Sequence, residues 1–340
     1  MRIRFVFFFI VITATHSYSQ YVRNVSGVGT TAAPFLEIDV GARAIGMGEA
    51  FVAVADDATA IFWNPAGLSR LGRNEMIFNH TKWLADINFD FFGGILSVGN
   101  YGIVGISMTS LSTADMEVRT VDEPEGTGEL FSVGSMALGL SYAKNLTDRF
   151  SIGFNTKYIQ EKIWHMTASS FAIDFGTLFI TQFNDIKIGM NISNFGMDMR
   201  LSGRDVMVYH DIDPTIMGNN ELTAANLVTD GWSLPLTFRA GIAMDLLKTK
   251  NSRLTADIDA VHPNDNTEYL NIGMEYVFNN LFSLRGGYSA LFKRDSEEGL
   301  TFGAGIESYI GKMVLLKVDY AFTDFDRLGN THRISLGIGF

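Results

Sequence analysis

The chain has 340 residues, of which 47% are hydrophobic, 34 are glycine, six are proline and none is cysteine. The lack of cysteine excludes disulfides, thiolate metal sites and a lipid anchor on an N-terminal cysteine. A formal net charge of −11 argues against nucleic acid as a partner, because nucleic acid calls for a basic surface.

The longest apolar run, Phe5 to Ile12, falls short of the roughly 20 residues that a membrane-spanning helix needs. Arg2 and Arg4 precede it, and the small residues Ser17 and Ser19 follow. This is the pattern of an export signal, with cleavage expected after Ser19, so residues 1–19 are read as a signal peptide.

Residues 20–73 are rich in small residues and do not alternate. Asp56 and Asp57 precede a short helical stretch whose free N–H groups an acid can cap. Pro65 should end or bend that stretch near Trp63 and Asn64. Gly46-Met47-Gly48 suggests a phosphate loop, but Phe51 stands where the third glycine belongs and no βαβ unit surrounds it. No cofactor is expected.

From residue 74 to residue 340 the chain reads as strand, turn, strand. Fourteen strands are expected, beginning near Asn74, Ile87, Gly102, Leu130, Arg149, Ala168, Asp185, Leu234, Ser252, Thr267, Leu281, Leu300, Met313 and Thr331. Short connections alternate with longer, more charged ones after the first hairpin, the asymmetry of periplasmic turns and outer loops in an outer-membrane barrel.

The strands assign their own faces. Leu300, Phe302, Ala304 and Ile306 oppose Thr301, Gly303, Gly305 and Glu307, and Leu254, Ala256 and Ile258 oppose Thr255, Asp257 and Asp259. The charges on these strands fall on the glycine-rich face. A charge facing lipid at mid-membrane costs about 2–4 kcal/mol, so that face should line the lumen. It collects Arg239, Asp257, Asp259, Glu275, Arg285 and Glu307, a network of ion pairs holding a plug or water, or else a polar conduction or binding path. A lumen of this size should be partly filled, and residues 20–73 are the obvious filler. The fold class is therefore all-β: a 14-stranded antiparallel transmembrane β-barrel, residues 74–340, with an N-terminal hatch or plug, residues 20–73. Its place is the outer membrane of a Gram-negative-type bacterium, in contact with outer-membrane lipid.

The longest loop, Phe195 to Ser233, carries Met207, Tyr209 and Met217 among polar residues. Long loops are often functional and methionines make adaptable surfaces, which marks it as a candidate partner loop; alternatively it folds down over the barrel mouth. His210, Asp211 and Asp213, and the acids Asp122, Glu123, Glu125 and Glu129, lack metal-site spacing. No serine sits in a G-x-S-x-G elbow. No catalytic, cofactor-binding or metal residue is assigned. The chain ends on a strand whose Ile334, Leu336, Ile338 and Phe340 share one face. That strand should close on the one near Asn74, with the terminal Phe340 as the signal for barrel insertion.

The segment Gly41 to Leu71 resembles the signature of the PorV/PorQ family of outer-membrane proteins. The match rests on Gly41-Ala42-Arg43-Ala44, Gly46-Met47-Gly48, Ala50-Phe51-Val52-Ala53, Ala55-Asp56-Asp57 and Trp63-Asn64-Pro65-Ala66-Gly67-Leu68. That family is similar in fold to the FadL-like long-chain fatty acid transporters, fourteen-stranded barrels with an N-terminal hatch. Asn64, Pro65 and Ala66 are the hatch element that the two share. PorV-type members are components of the type IX secretion system, so the resemblance implies a partner in a secretion translocon or an exported cargo protein. The alternative it implies is passive transport of a hydrophobic ligand, with a lateral opening or apolar pocket beside Asn64. Neither implies an enzyme.

Overall fold

A computed structural model describes residues 26–213, 215, 222–293, 296–311 and 313–340. The expected signal peptide and Met217 lie outside the described residues. Fourteen long strands follow one another: β1 (Glu75–Lys82), β2 (Asn88–Ser97), β3 (Ile103–Ser112), β4 (Val133–Asn145), β5 (Phe150–Ile163), β6 (Met166–Ile180) and β7 (Lys187–Gly196). They continue as β8 (Thr237–Lys248), β9 (Ser252–Pro263), β10 (Tyr269–Phe278), β11 (Phe282–Leu291), β12 (Leu300–Ile310), β13 (Val314–Asp324) and β14 (Asn330–Gly339). Each pairs antiparallel with its chain neighbours, and β1 pairs with β14 from Glu75↔Gly339 to Lys82↔His332, which closes the barrel. Asn74 and Phe340 extend that seam by exchanging both backbone hydrogen bonds, at 3.2 and 3.0 Å.

Alternation builds the wall. Along β14, Arg333 and Ser335 are buried inside while Ile334, Leu336 and Ile338 lie half exposed on the outer surface. Short turns join the strands at one end; at the β10–β11 turn Asn279 and Asn280 take left-handed conformations that asparagine tolerates. Longer loops gather at the opposite, outer end. The strands β4, β5 and β6 run to 13, 14 and 15 residues, longer than a span requires. The extra length pairs near the outer end, where Ser202 and Gly203 of the long loop add to β6.

Two features depart from a simple polar-inside, apolar-outside pattern. The inward face of β1 to β3 carries five buried apolar side chains, Ile77, Phe89, Phe91, Ile95 and Ile103, beside the buried polar Glu75, Asn79, Thr81 and Thr109. The apolar side chains meet the protein that fills the lumen, and an apolar stretch of wall suits an apolar filler. Conversely, His80 and Asp90 face outward as a directly opposed cross-strand pair, 2.7 Å apart, near the outer ends of β1 and β2. Charge is tolerated there because the lipid-facing penalty falls toward the membrane interface.

The luminal segment and its two vestibules

Residues 26–73 run through the lumen. Helix α1 (Ala42–Gly46) and helix α2 (Ala60–Trp63) are short, and a 3-10 turn over Pro65–Arg70 follows. The segment has a core of its own: Ile45, Met47, Phe51, Ile61, Trp63 and Leu68 are all buried. Phe51 packs edge-on to Trp63 with ring centroids 6.0 Å apart. The Trp63 indole donates to the Val40 carbonyl at 2.8 Å. On the wall, the Arg239 guanidinium lies 5.3 Å from the Trp63 ring, within cation–π range.

Glycines of the wall receive this segment backbone to backbone. A Cβ on Gly153 would strike Pro65 and Ala66, and one on Gly176 would strike the Asn64 side chain. A Cβ on Gly189 would meet Val52, and one on Gly273 would meet Met47. The glycine-rich face is thus a docking track for main chain.

Asn64 fastens the segment to that track. It is fully buried, and its side-chain amide donates to Val52 O at 2.9 Å and to Thr177 O of β6 at 3.0 Å. Its Oδ1 accepts from the Ala66 N–H at 3.2 Å and caps the 3-10 turn. Pro65 occupies the first position of that turn, where a missing N–H costs nothing. Ala66 is fully buried against the wall.

The charged residues form two groups. Glu275 is buried among three guanidinium groups, 2.9 Å from Arg43, 2.9 Å from Arg285 and 3.1 Å from Arg253. Arg285 also reaches Asp319 at 2.5 Å, and Arg43 reaches Asp56 at 2.5 Å and Asp57 at 3.1 Å. Lys317 pairs with Glu75 at 2.7 Å. Elsewhere Arg239 pairs with Asp39 at 3.3 Å. Asp259 accepts the N–H groups of Phe51 and Val52 at 2.7 and 2.9 Å, so it holds backbone of the luminal segment in place of a cation. Asp257, on the same face of β9, is fully buried and has no donor among the described residues. Glu307 stands apart at the inner rim, half exposed and 3.8 Å from Arg73.

Met207 and Tyr209 lie exposed on a hairpin in which Met207–His210 pairs with Thr223–Asn226. The loop base is anchored: Met199 is buried, Met199–Arg200 pairs with Gly231–Trp232, and Ser233 O accepts from Ala32 N at 2.8 Å. Sequence reasoning named the wall charges but missed Arg43, Asp39 and Glu75. The available signal was a lone arginine in a run of small apolar residues, which the helical stretch turns toward the wall.

Two cavities lined by charged side chains flank the luminal segment. The inner one, about 450 Å³, opens among the short turns and is lined by Arg70, Arg73, Lys248, Arg253, Glu275 and Glu307. The outer one, about 510 Å³, lies beneath the long loops.

The model of the family described as type IX secretion system protein PorV matches residues 22–207, more than half of the chain and all of it from the luminal segment through β7. The chain belongs to the PorV family. Solved structures add a likeness of fold to this PorV-family barrel. A Pseudomonas aeruginosa FadL homologue aligns at 10% identity over 88% of this chain and 98% of its own, with a TM-score of 0.55. The Ralstonia pickettii toluene transporter TbuX aligns at 12% identity over 88% and 97%, with a TM-score of 0.54. The Pseudomonas putida toluene transporter TodX gives the same four figures. No curated protein sequence matches the chain. The PorV-family chain is an outer-membrane β-barrel with the FadL-like architecture.

Proposed function

We propose that this PorV-family barrel is a component of type IX secretion or surface assembly that binds a translocon or an exported cargo protein through its outer loops. The observation that carries this reading is the hairpin of Met207 and Tyr209, which holds large apolar side chains in solvent on an anchored base. Exposed apolar side chains grouped on one element favour a protein interface. Affinity purification from outer membranes tests it. A large translocon or an exported protein should co-purify, and replacing residues 204–228 with a short turn should abolish the association. Recovery of the barrel alone, with unaltered surface proteins in a deletion strain, would end this reading.

The likeness in fold to toluene transporters supports a second reading, passage of an apolar small molecule. The charged lining of both vestibules weighs against it. Native mass spectrometry revealing a bound apolar ligand, and slowed uptake in the deletion strain, would favour it over the first.

Under either reading we assign residues 1–19 to a cleaved export signal and residues 20–73 to a hatch held by Asn64, Pro65 and Ala66. Phe340 is assigned as the barrel-assembly signal. Arg239, Asp257, Asp259, Glu275 and Arg285 belong to the wall network that retains the hatch, with Glu307 at its inner edge.

A further inference from the structure

The outer cavity is acidic on three sides. The luminal segment contributes Glu37, Asp39 and Glu49, the β9–β10 loop contributes Asp265, and the β11–β12 loop contributes Glu298. Two cations line the same space. Arg239 is taken by Asp39 at 3.3 Å, and Lys293 lies 3.6 Å from Glu298 and 5.0 Å from the Tyr269 ring. Arg333, farther along the wall from β14, stacks over Trp83 at 5.1 Å. Glu37, Glu49 and Asp265 thus have no cation within ion-pair distance among the described residues.

Asp265 carries the argument further. Its residue is only 6% exposed, and its Oδ2 accepts from the Thr31 hydroxyl at 3.1 Å. Its Oδ1 is buried without a donor among the described residues, and Asp265 lines the cavity. A buried acceptor without a donor costs roughly 1–3 kcal/mol, and more when charged. Glu49 is also placed at some expense. It adopts a left-handed φ of 64°, and this turn carries its side chain to the cavity wall. Burial, with the Asp39 carboxyl beside it, pushes Glu49 well above the usual carboxylate range, a repulsion that an added cation would relieve.

We infer that the outer vestibule is a binding site for an organic cation, an ammonium or guanidinium group that enters from the outer face and is received by Asp265, Glu37 and Glu49. The volume of about 510 Å³ falls within the range of ligand pockets. An organic cation fits better than a metal ion, because no three His, Asp or Glu side chains among the described residues converge as metal ligands. Pro34, Pro263 and Val28 supply apolar flanks for the carbon chain of such a ligand. The site stands independently of the secretion reading.

Isothermal titration of the full-length protein in detergent at low salt tests it, with spermidine and a tri-lysine peptide as probes. Saturable binding of either is expected. Tighter binding of spermidine points to a free polyamine, and tighter binding of the peptide points to a basic side chain of a protein. Asp265→Asn should weaken binding at least tenfold. Glu37→Gln, at an exposed position, should weaken it severalfold. Glu268→Gln, an exposed acid paired with His262 outside the cavity, should leave it unchanged. Heat-modifiable migration on gels verifies that each variant is folded. Absence of saturable binding, equal binding by Glu37→Gln and wild type, or saturation by calcium alone would overturn the inference.

Discussion

The side-chain amide of Asn64 donates to the main-chain carbonyl of Thr177, 113 residues away, at 3.0 Å. This one contact ties the luminal segment to the middle of the wall, and the same amide holds Val52 O. Asn64→Ala strands two carbonyls and an N–H in a buried place, and should cost about 2 kcal/mol or more. Asn64→Asp keeps the size but replaces the donor with an acceptor facing carbonyls, and should cost more. Urea midpoints and the rate of protease cleavage between residues 40 and 73 in folded protein measure both. Wild-type values for Asn64→Asp would refute the fastening role.

The wall glycines predict a sharp positional contrast. Gly176→Ala places a methyl against Asn64 and Pro65, and Gly273→Ala places one against the Met47 backbone. Gly286→Ala, on the same barrel, meets nothing within 4 Å. The first two should destabilise by about 1–3 kcal/mol, as overpacking does, and the third should be neutral. Thermal unfolding of the three variants side by side decides it.

Glu275 bridges three guanidinium groups. Glu275→Leu removes the buried carboxylate that Arg43, Arg253 and Arg285 share and should cost about 3–5 kcal/mol, the usual penalty for breaking a buried ionic group. Arg43→Met by itself also strands Asp56 and Asp57, so the double variant should lose less than the sum of the two single losses. Additive losses in the double variant would show that the residues do not act as a unit.

Asp56 responds to acid. Burial acts to raise its carboxyl, but Arg43, helped by Lys187 and Arg253, outweighs burial and holds it at about 2. A depressed folded-state value means stability that is present above the unfolded value of about 4 and lost as pH falls from there toward 2. The luminal segment should therefore remain docked at pH 5 and loosen below pH 4. Asp56→Asn should flatten this part of the profile. Hydrogen exchange of residues 42–57 against pH provides the measurement, and loosening that begins at pH 6 would contradict it.

Phe340 closes the seam with Asn74 through backbone atoms, which Phe340→Ala preserves. The side chain, half exposed on the outer surface, is then the sole difference. If it is the insertion signal, Phe340→Ala should lower assembled outer-membrane protein severalfold while barrel already assembled keeps its heat-modifiable migration. Unchanged membrane levels would remove that role.

Much of the barrel was readable because a strand writes its environment into every second residue. All fourteen strands begin within three residues of where alternation and turn residues place them. Two features of the wall are not written in that alternation. Phe89 and Phe91 point inward, and a period of two cannot distinguish an apolar filler inside from lipid outside. His80 and Asp90 point outward because depth in the membrane, which sequence alternation does not encode, sets the cost of charge. The site was less legible. Glu275 and Arg285 were marked by their face, but Arg43 and Asp39 sit in a stretch without periodicity, and their partners lie some 200 residues away.

The docking track has a consequence for how such a protein varies. Where two backbones meet, the specification is written in atoms that are missing, at Gly153, Gly176, Gly189 and Gly273. The side chains opposite can drift in size and polarity so long as the hollow stays empty. Related barrels should therefore share the positions of their voids more faithfully than the identities of the residues that occupy them. Ten to twelve per cent identity can then coexist with one architecture over 88% of the chain.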